Sequence, residues 1–388
     1  MRTLSPLETI RTLAVEIGPR PSASAAEGRA ADTLAGRLRE AGLDVRIEAF
    51  GGLRSFSLTY GLIYASFVLA AALAWASPAA GFVLGALGLL AFALENGGRE
   101  VVSRLLPKLP SRNVVGVKAP AGEVRRRVVL VCHLDSANAA LLWHPRLVAG
   151  FRRSFLLMAG AMGAVVLLTG ALWLAPVSGL PTSVLRGALL ASGAYLLGTV
   201  LLLVHRQWRM PCVDGANDNA SGVAAVLAAA AGIGPLRHTE LWVVGTGCEE
   251  SGLIGMARFC DAHPFDRKRT WFLNADNCGA GRVTITTAEG MLWRCRCDEG
   301  LVAAALRAAA AEPALPVDAR AFHTMNNDSF VLLRRGYRAL SIMAFDERGL
   351  LPNWHWPTDT ADRIEPETLA CAAELIRRTL RAVDSMPV

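Results

Sequence analysis

The sequence lacks several features that would place it in a familiar class of protein. Its first residues carry scattered charges and no apolar core followed by a cleavage site, so we expect no signal peptide and an amino terminus that stays in the cytoplasm. Its eight cysteines have no regular spacing, which favours reduced, buried thiols over a disulfide framework. Although the net charge is +7, no nucleic-acid-binding motif is present, and we expect no nucleic-acid partner.

Charge is also absent from long stretches of a chain of 388 residues that is 53% hydrophobic. The run from Ser55 to Leu94 contains no charged residue, and Ser77-Pro78 divides it into two halves of roughly membrane-spanning length. Phe155–Pro176 is uncharged as well, and Val184–Val204 carries only Arg186, which lies close to one end. These runs predict two transmembrane helical hairpins. The alternative is that they are core helices of a large soluble protein, but such helices rarely need uncharged runs of this length.

The basic residues beside these runs lie almost entirely on one side. Only Arg186 lies near the opposite turns. The ends from which the polar segments emerge are flanked by Arg46, Arg54, Arg99, Arg104, Lys108, Arg146, Arg152, Arg153, Arg206 and Arg209. The positive-inside rule therefore places the polar segments in the cytoplasm. The spans contain no central acidic residue and no broken-helix signal, so we interpret them as anchors and not as a transport pathway.

Outside the hairpins, short apolar runs alternate with helical patterns. We predict strands at Leu43–Glu48, Asn113–Val117, Val128–Cys132, Glu240–Gly245, Thr270–Ala275 and Ala339–Phe345. Arg282–Thr287 and Leu292–Cys297 are predicted to be further strands, antiparallel at an edge. The predicted fold class is α/β, with a mixed, mostly parallel sheet flanked by helices and two inserted transmembrane helical hairpins.

Polar residues that can bind metal follow several of these apolar runs, or open a helix in the case of Asp218. They are His133 and Asp135, Asp218, Glu249 and Glu250, Asp276, and His355. Because active sites form at the carboxyl ends of strands in open α/β sheets, we expect these residues to meet. Each of them alone would more often be an ordinary core or surface residue.

The five motifs H-x-D, G-A-x-D-N-x-S-G, E-E-x-G, N-x-D and H-x-P-x-D occur in this order. The series resembles the zinc exopeptidase family of bacterial leucyl aminopeptidase and aminopeptidase Y, clan MH metallopeptidases whose relatives include glutamate carboxypeptidase and glutaminyl cyclase. The resemblance implies a zinc-exopeptidase, phosphorylase/hydrolase-like fold with two zinc ions per chain. It assigns one ion to His133, Asp218 and Asp276, and the other to Asp218, Glu250 and His355.

The same resemblance implies a role for each remaining polar residue. Glu249 is expected to be the general base, and Asp135 to accept the second ring N–H of His133. Asp359 is the candidate for the same role beside His355. Asp328 falls where the family often has a Ser-Asp-His-type segment near the substrate, and this sequence departs from that pattern with Asn327-Asp328-Ser329-Phe330.

The expected domain organisation is one catalytic domain with two insertions. Its parts are residues 1–54, 99–152 with the first zinc-ligand strand, and 206–388 with the remaining zinc site, while 55–98 and 153–205 form the hairpins. We expect an aminopeptidase, anchored in the bilayer of a bacterial plasma membrane and facing the cytoplasm, that acts on peptides with a free amino terminus. A glutaminyl cyclase-like zinc enzyme and a catalytically inactive peptidase-like membrane scaffold are the alternatives.

Overall fold

A computed structural model of the chain describes residues 5–178, 181–311 and 313–386. The chain divides into two compact units. The α/β unit comprises Met1–Arg54, Lys108–Ala139 and Pro211–Val388, and the helical unit comprises Ser55–Pro107 and Ala140–Met210. This division places residues 99–107, 140–152 and 206–210 with the hairpins, whereas the predicted catalytic domain included them.

The α/β unit is built on one sheet, which has nine strands among the described residues. The strands are β1 (Asp44–Gly52), β2 (Leu109–Lys118), β3 (Arg126–His133), β4 (Thr239–Thr246), β5 (Thr270–Ala275), β6 (Arg282–Glu289), β7 (Cys295–Arg296), β8 (Asp318–Phe322) and β9 (Arg338–Phe345). They follow the order β1-β2-β4-β3-β5-β9-β6-β7, and β8 pairs with β6. The central strands β4, β3, β5 and β9 are parallel, while β1, β2 and β6 join them through antiparallel pairs. The predicted α/β fold with a mixed sheet is confirmed.

Helices cover both faces of this sheet. They are α1 (Pro6–Ile10), which continues as a π-helix over Arg11–Ile17, α2 (Ala25–Glu40), α7 (Gly222–Ala231), α8 (Ile254–Ala262), α9 (Glu299–Ala310), α10 (Asp328–Arg334) and α11 (Pro366–Asp384). Side chains alternate along β3, so that Val128 and Leu130 face a core formed with α2, α7 and α11, whereas Val129 and Val131 face α8 and α10. The sheet is therefore packed on both faces by apolar side chains.

The helical unit contains four main helices among its described residues. They are α3 (Ser57–Leu73), α4 (Pro78–Asn96), α5 (Phe151–Ser178) and α6 (Thr182–Arg209). α3 contacts α4 and α6, and α5 contacts the same two helices, which makes a four-helix bundle. α3 and α4 approach so closely that a Cβ on Gly81 would meet the carbonyl oxygen of Ala70.

Three helices of the described chain are long and apolar enough to cross a membrane. They are Pro78–Asn96, Val148–Ala175 and Thr182–Arg209. The remaining apolar helix, Ser57–Leu73, has 17 residues and therefore a length of roughly 26 Å, slightly less than the hydrocarbon core of a bilayer. The prediction of four spans stays a prediction.

Candidate zinc site

Three neighbouring parallel strands end at the same edge of the sheet. β3 ends at His133, which the register pairs with Thr246, the last residue of β4. β5 ends at Ala275, directly before Asp276. Because the loops that follow parallel strands open at one edge, the polar residues in these loops lie close together. The strand register therefore brings residues of three separate motifs to one place.

Asp218 reaches this place from the loop before α7. The loop leaves helical geometry at Asp218, whose φ and ψ are −112° and 87°. Gly215 has a φ of 63°, and a Cβ at this position would meet the carbonyl oxygen of Asp218, so the turn requires glycine. The Asp359 carboxylate accepts the backbone N–H groups of Asn217 at 2.6 Å and Asp218 at 3.1 Å. These contacts fix the backbone that carries the Asp218 carboxylate.

The two oxygens of Asp218 are divided between two histidines. His133 Nε2 lies 3.0 Å from Asp218 Oδ1 and 3.6 Å from Asp276 Oδ1. His355 Nε2 lies 2.9 Å from Asp218 Oδ2 and 3.1 Å from Glu250 Oε1. All five residues are buried. The arrangement consists of two three-residue groups that share one carboxylate, and we call these five residues the His133 cluster.

The His133 cluster fits zinc in its donor atoms and its spacing. Imidazole nitrogen and carboxylate oxygen are zinc ligands, and atoms bound tetrahedrally to one zinc lie roughly 3.3 Å apart, which is close to the separations above. Glu250 Oε1 is buried and accepts no hydrogen bond from the described residues, although His355 Nε2 faces it. The ligand atoms of His133, Glu249 and Asp276 also lie within 4.8 Å of one another, as do those of His133, Asp218 and Glu250. The donor atoms and their spacing therefore fit zinc.

Burial and mutual contact shift the pKa values within the site in opposite directions. Burial raises the pKa of Glu249 well above its ordinary value, and the neighbouring charge of Glu250 raises it further. For Asp218, burial alone would raise the pKa, but hydrogen bonds from the two histidines outweigh burial and lower it. Burial would lower the pKa of His355, but the charge of Glu250 and the hydrogen bond to Asp218 raise it to about 9.

Asp135 supports both His133 and the loop that carries the two glutamates. His133 Nδ1 donates to the backbone carbonyl of Asp135 at 3.1 Å, and the carboxylate that the sequence had suggested as acceptor is farther away, at 3.5 Å. This contact leaves His133 Nε2 facing the cluster as a ligand. The Asp135 carboxylate instead accepts the backbone N–H groups of Glu249 at 3.2 Å and Glu250 at 3.1 Å, together with the hydroxyl of Ser22 at 2.6 Å.

The two weaker candidates make contacts that the sequence did not indicate. Asp359 was expected beside the ring of His355, but its oxygens accept the N–H groups of the Asp218 loop because the 353–359 turn brings its carboxylate there. Asp328, the first residue of α10, accepts the Thr246 hydroxyl at 2.5 Å. Its other oxygen is buried without a hydrogen-bond partner in the described chain, and burial raises the pKa of Asp328 to about 7.

Two buried charged residues that support the site were missed by sequence reasoning. The Arg20 guanidinium is fully enclosed and donates to the carbonyl groups of Leu134, Asp214 and Gly215, thereby joining the loop after β3 to the Asp218 loop. Glu27, in the first turn of α2, accepts the backbone N–H of Cys248 at 2.8 Å. A glutamate three residues after a serine signals a helix start, but nothing in the sequence shows a contact 221 residues away.

Residues 200–380 match the sequence model of peptidase family M28. The matched segment covers slightly less than half of the chain. It contains Asp218, Glu249, Glu250, Asp276 and His355, while His133 and Asp135 lie upstream of it. No curated protein matches the chain at a significant level.

Solved structures with the same fold include enzymes of two activities. A zinc aminopeptidase from Bacillus subtilis is 16% identical, with a TM-score of 0.58, 97% of this chain covered and 94% of the other. An aminopeptidase from Aneurinibacillus sp. strain AM-1 is 15% identical, with a TM-score of 0.58 and coverage of 97% and 92%. The glutaminyl cyclase of Porphyromonas gingivalis is 15% identical, with a TM-score of 0.56 and coverage of 97% and 96%.

The match to peptidase family M28 confirms the family resemblance and the prediction of a zinc-dependent hydrolase. The match to this family supports zinc as the metal of the site. At these identities the solved structures establish the fold alone.

Proposed function

We propose that this chain is a membrane-anchored di-zinc aminopeptidase. The observation that carries the proposal is the position of Asp218, whose two oxygens face His133 on one side and His355 on the other. A carboxylate shared in this way is what two neighbouring metal ions require. His133, Asp218 and Asp276 would hold one zinc, and Asp218, Glu250 and His355 the other. Three carboxylates offset most of the charge of two dications.

When bound, zinc would supply Lewis-acid chemistry to the water and to the peptide carbonyl. Glu249 would take a proton from the attacking water and pass it to the leaving amine, since it lies beside His133 and Asp276 and its neighbour Glu250 is proposed as a ligand. The Asp135 carboxylate positions the backbone of both glutamates.

The proposed substrate is a peptide with a free amino terminus, and the proposed location is the plasma membrane of a bacterium. The apolar helices of the helical unit would anchor the protein, and the arginines beside them favour an α/β unit that faces the cytoplasm.

Hydrolysis of a panel of aminoacyl-anilides by the detergent-purified full chain tests the proposal. We expect turnover of free-amino substrates, no turnover of their N-acetylated forms, and a loss of about 100- to 10,000-fold in kcat for Glu249→Gln. Glu347→Gln, at an exposed position, is the matched control and should retain full activity. Cyclisation of a peptide with amino-terminal glutamine, without anilide hydrolysis, would favour the glutaminyl cyclase alternative. Bound zinc with neither reaction would contradict both enzyme hypotheses.

A further inference from the structure

The loop that carries Glu249 is held by its backbone N–H groups. Gly247 donates to Asn113 Oδ1 at 3.1 Å, and Cys248 donates to Glu27 Oε1 at 2.8 Å. Glu249 and Glu250 donate to the two oxygens of the Asp135 carboxylate. Four consecutive N–H groups are thus each accepted by a side chain from another part of the α/β unit, on α2, on β2 or after β3.

Glu27 is the part of this arrangement that comes from farthest away in the sequence. It lies in the first turn of α2, where Ser24 caps the helix by accepting the Glu27 N–H at 3.1 Å. The second Glu27 oxygen accepts the N–H of Ala23 at 3.0 Å and the hydroxyl of Ser111 at 2.7 Å. Because Glu27 is buried and surrounded by donors, its carboxylate has one well-defined position.

The backbone that Glu27 holds has an unfavourable conformation. Cys248 has a φ of 56°, which lies in the left-handed region that residues other than glycine and asparagine seldom adopt. The preceding Gly247 passes so close to Ser111 and Glu27 that a Cβ would collide with the serine hydroxyl. A residue in this region persists only where its surroundings impose the geometry. Loss of the Glu27 contact would allow Cys248 to relax and would move the adjoining Glu249.

We infer that Glu27 is a positioning residue, which fixes the carboxylate of Glu249 by holding the N–H of Cys248 in a left-handed turn. Glu27 touches none of the reacting atoms and acts only through this loop. The inference rests on the proposed role of Glu249 as general base. A carboxylate is needed at position 27 because all three groups that face it are donors in this geometry, and a glutamine would present an NH2 group to at least one of them.

The test compares Glu27→Gln with Ser24→Ala in the detergent-purified full chain. Ser24→Ala removes the cap of the same helix and lowers its stability without touching the Glu27 carboxylate. We expect Glu27→Gln to lower kcat about 10- to 100-fold with KM and zinc content nearly unchanged, because a small displacement of a catalytic group has effects of this size. Ser24→Ala should lower the melting temperature but leave kcat unchanged. Equal kcat for Glu27→Gln and the wild type, or loss of zinc from Glu27→Gln, would overturn the inference.

A double-variant cycle tests whether Glu27 acts through Glu249. In the Glu249→Gln background, Glu27→Gln should cause no further loss of the residual activity, since the group that Glu27 positions is already gone. An equal fractional loss in both backgrounds would show that Glu27 acts by another route.

Hydrogen exchange tests the contact between Glu27 and the Cys248 N–H without any need for activity. It therefore distinguishes failure of this inference from failure of the proposed function. The segment 247–250 should exchange faster in Glu27→Gln than in the wild type, and it should be unchanged in Ser24→Ala. Unchanged exchange in Glu27→Gln would overturn the inference even if the protein is an aminopeptidase. Faster exchange in a protein without peptidase activity would support the role of Glu27 in holding this loop, while the proposed function fails.

Discussion

The α/β unit buries charged side chains, whereas the helical unit exposes large apolar ones. In the α/β unit, the residues of the His133 cluster are each at most 8% exposed. In the helical unit, Leu167 is 75% exposed and Leu190 is 62% exposed. Burial of a charge is unfavourable unless a partner compensates it, and exposure of apolar surface is unfavourable in water. Each departure is what the proposed function predicts, with a cation bound in one unit and lipid around the other.

Among the variants that test this comparison, replacement of the shared Asp218 carboxylate should have the largest effect. It tests the buried charges of the α/β unit. Asp218→Asn keeps the volume but removes the charge and one of the two ligand oxygens, so we expect both zinc ions to bind weakly and kcat/KM to fall on the order of 1,000-fold. Anilide hydrolysis and zinc content measure this effect. Asp214→Asn, in the same loop but outside the His133 cluster, should remain active. Full activity of Asp218→Asn would remove the basis for a shared carboxylate.

The same substitution placed in each unit sharpens the comparison. Leu167→Lys, on the exposed face of α5 near its centre, should raise the free energy of membrane insertion by about 3 kcal/mol, because a lysine at the centre of a span is poorly solvated by lipid. Leu306→Lys, on α9 of the α/β unit, should have little effect, because that position is partly exposed to water. The fraction of each protein that resists alkaline extraction from membranes measures the difference. Equal membrane retention of the two variants would contradict a lipid-facing α5.

The smallest effect is expected for Glu289, a buried acid outside the His133 cluster. Burial raises the pKa of Glu289 from 4.5 to about 7, and Thr286 donates to one of its oxygens at 2.6 Å. Between these two pH values the folded state binds the proton more tightly than the unfolded state, so the stabilisation is complete below pH 4.5 and is lost as the pH rises to about 7.

Glu289→Gln cannot ionise, and its stability relative to the wild type should therefore increase by on the order of 2 kcal/mol between pH 5 and pH 8.5. Melting temperatures of both proteins at the two pH values measure this difference. Glu347→Gln, at an exposed position, should show no such trend. A difference between Glu289→Gln and the wild type that does not depend on pH would show that Glu289 keeps its ordinary pKa.

The sequence contained enough information for the central strands and for the residues that follow them, but β8 was not predicted. β3, β4 and β5 are buried on both faces, so each appears as a continuous apolar run, and the His133, Glu249 and Asp276 motifs come directly after these runs. Asp218 was predicted from a different local pattern, because its small neighbours allow a close approach of other groups. A local pattern is sufficient where a residue's position follows from the element that precedes it.

Contacts between distant parts of the chain could not be predicted in this way. The carbonyl groups that surround Arg20, the loop that Glu27 holds and the backbone that Asp359 supports are brought together only by the folded sheet and its helices. An arginine or glutamate is usually solvent-exposed, and nothing local distinguishes these residues from exposed ones. The bounds of Ser57–Leu73 could not be predicted for a related reason, since an uncharged run does not show where its helix begins and ends.

Zinc content of the purified full chain tests the central claim most directly. The protein should be purified in detergent, equilibrated with zinc and freed of weakly bound metal before elemental analysis. We predict two zinc ions per wild-type chain, two in Glu249→Gln, and fewer than one in Asp218→Asn. One zinc per wild-type chain would contradict the shared role of Asp218, and none would contradict a metal site in the His133 cluster altogether.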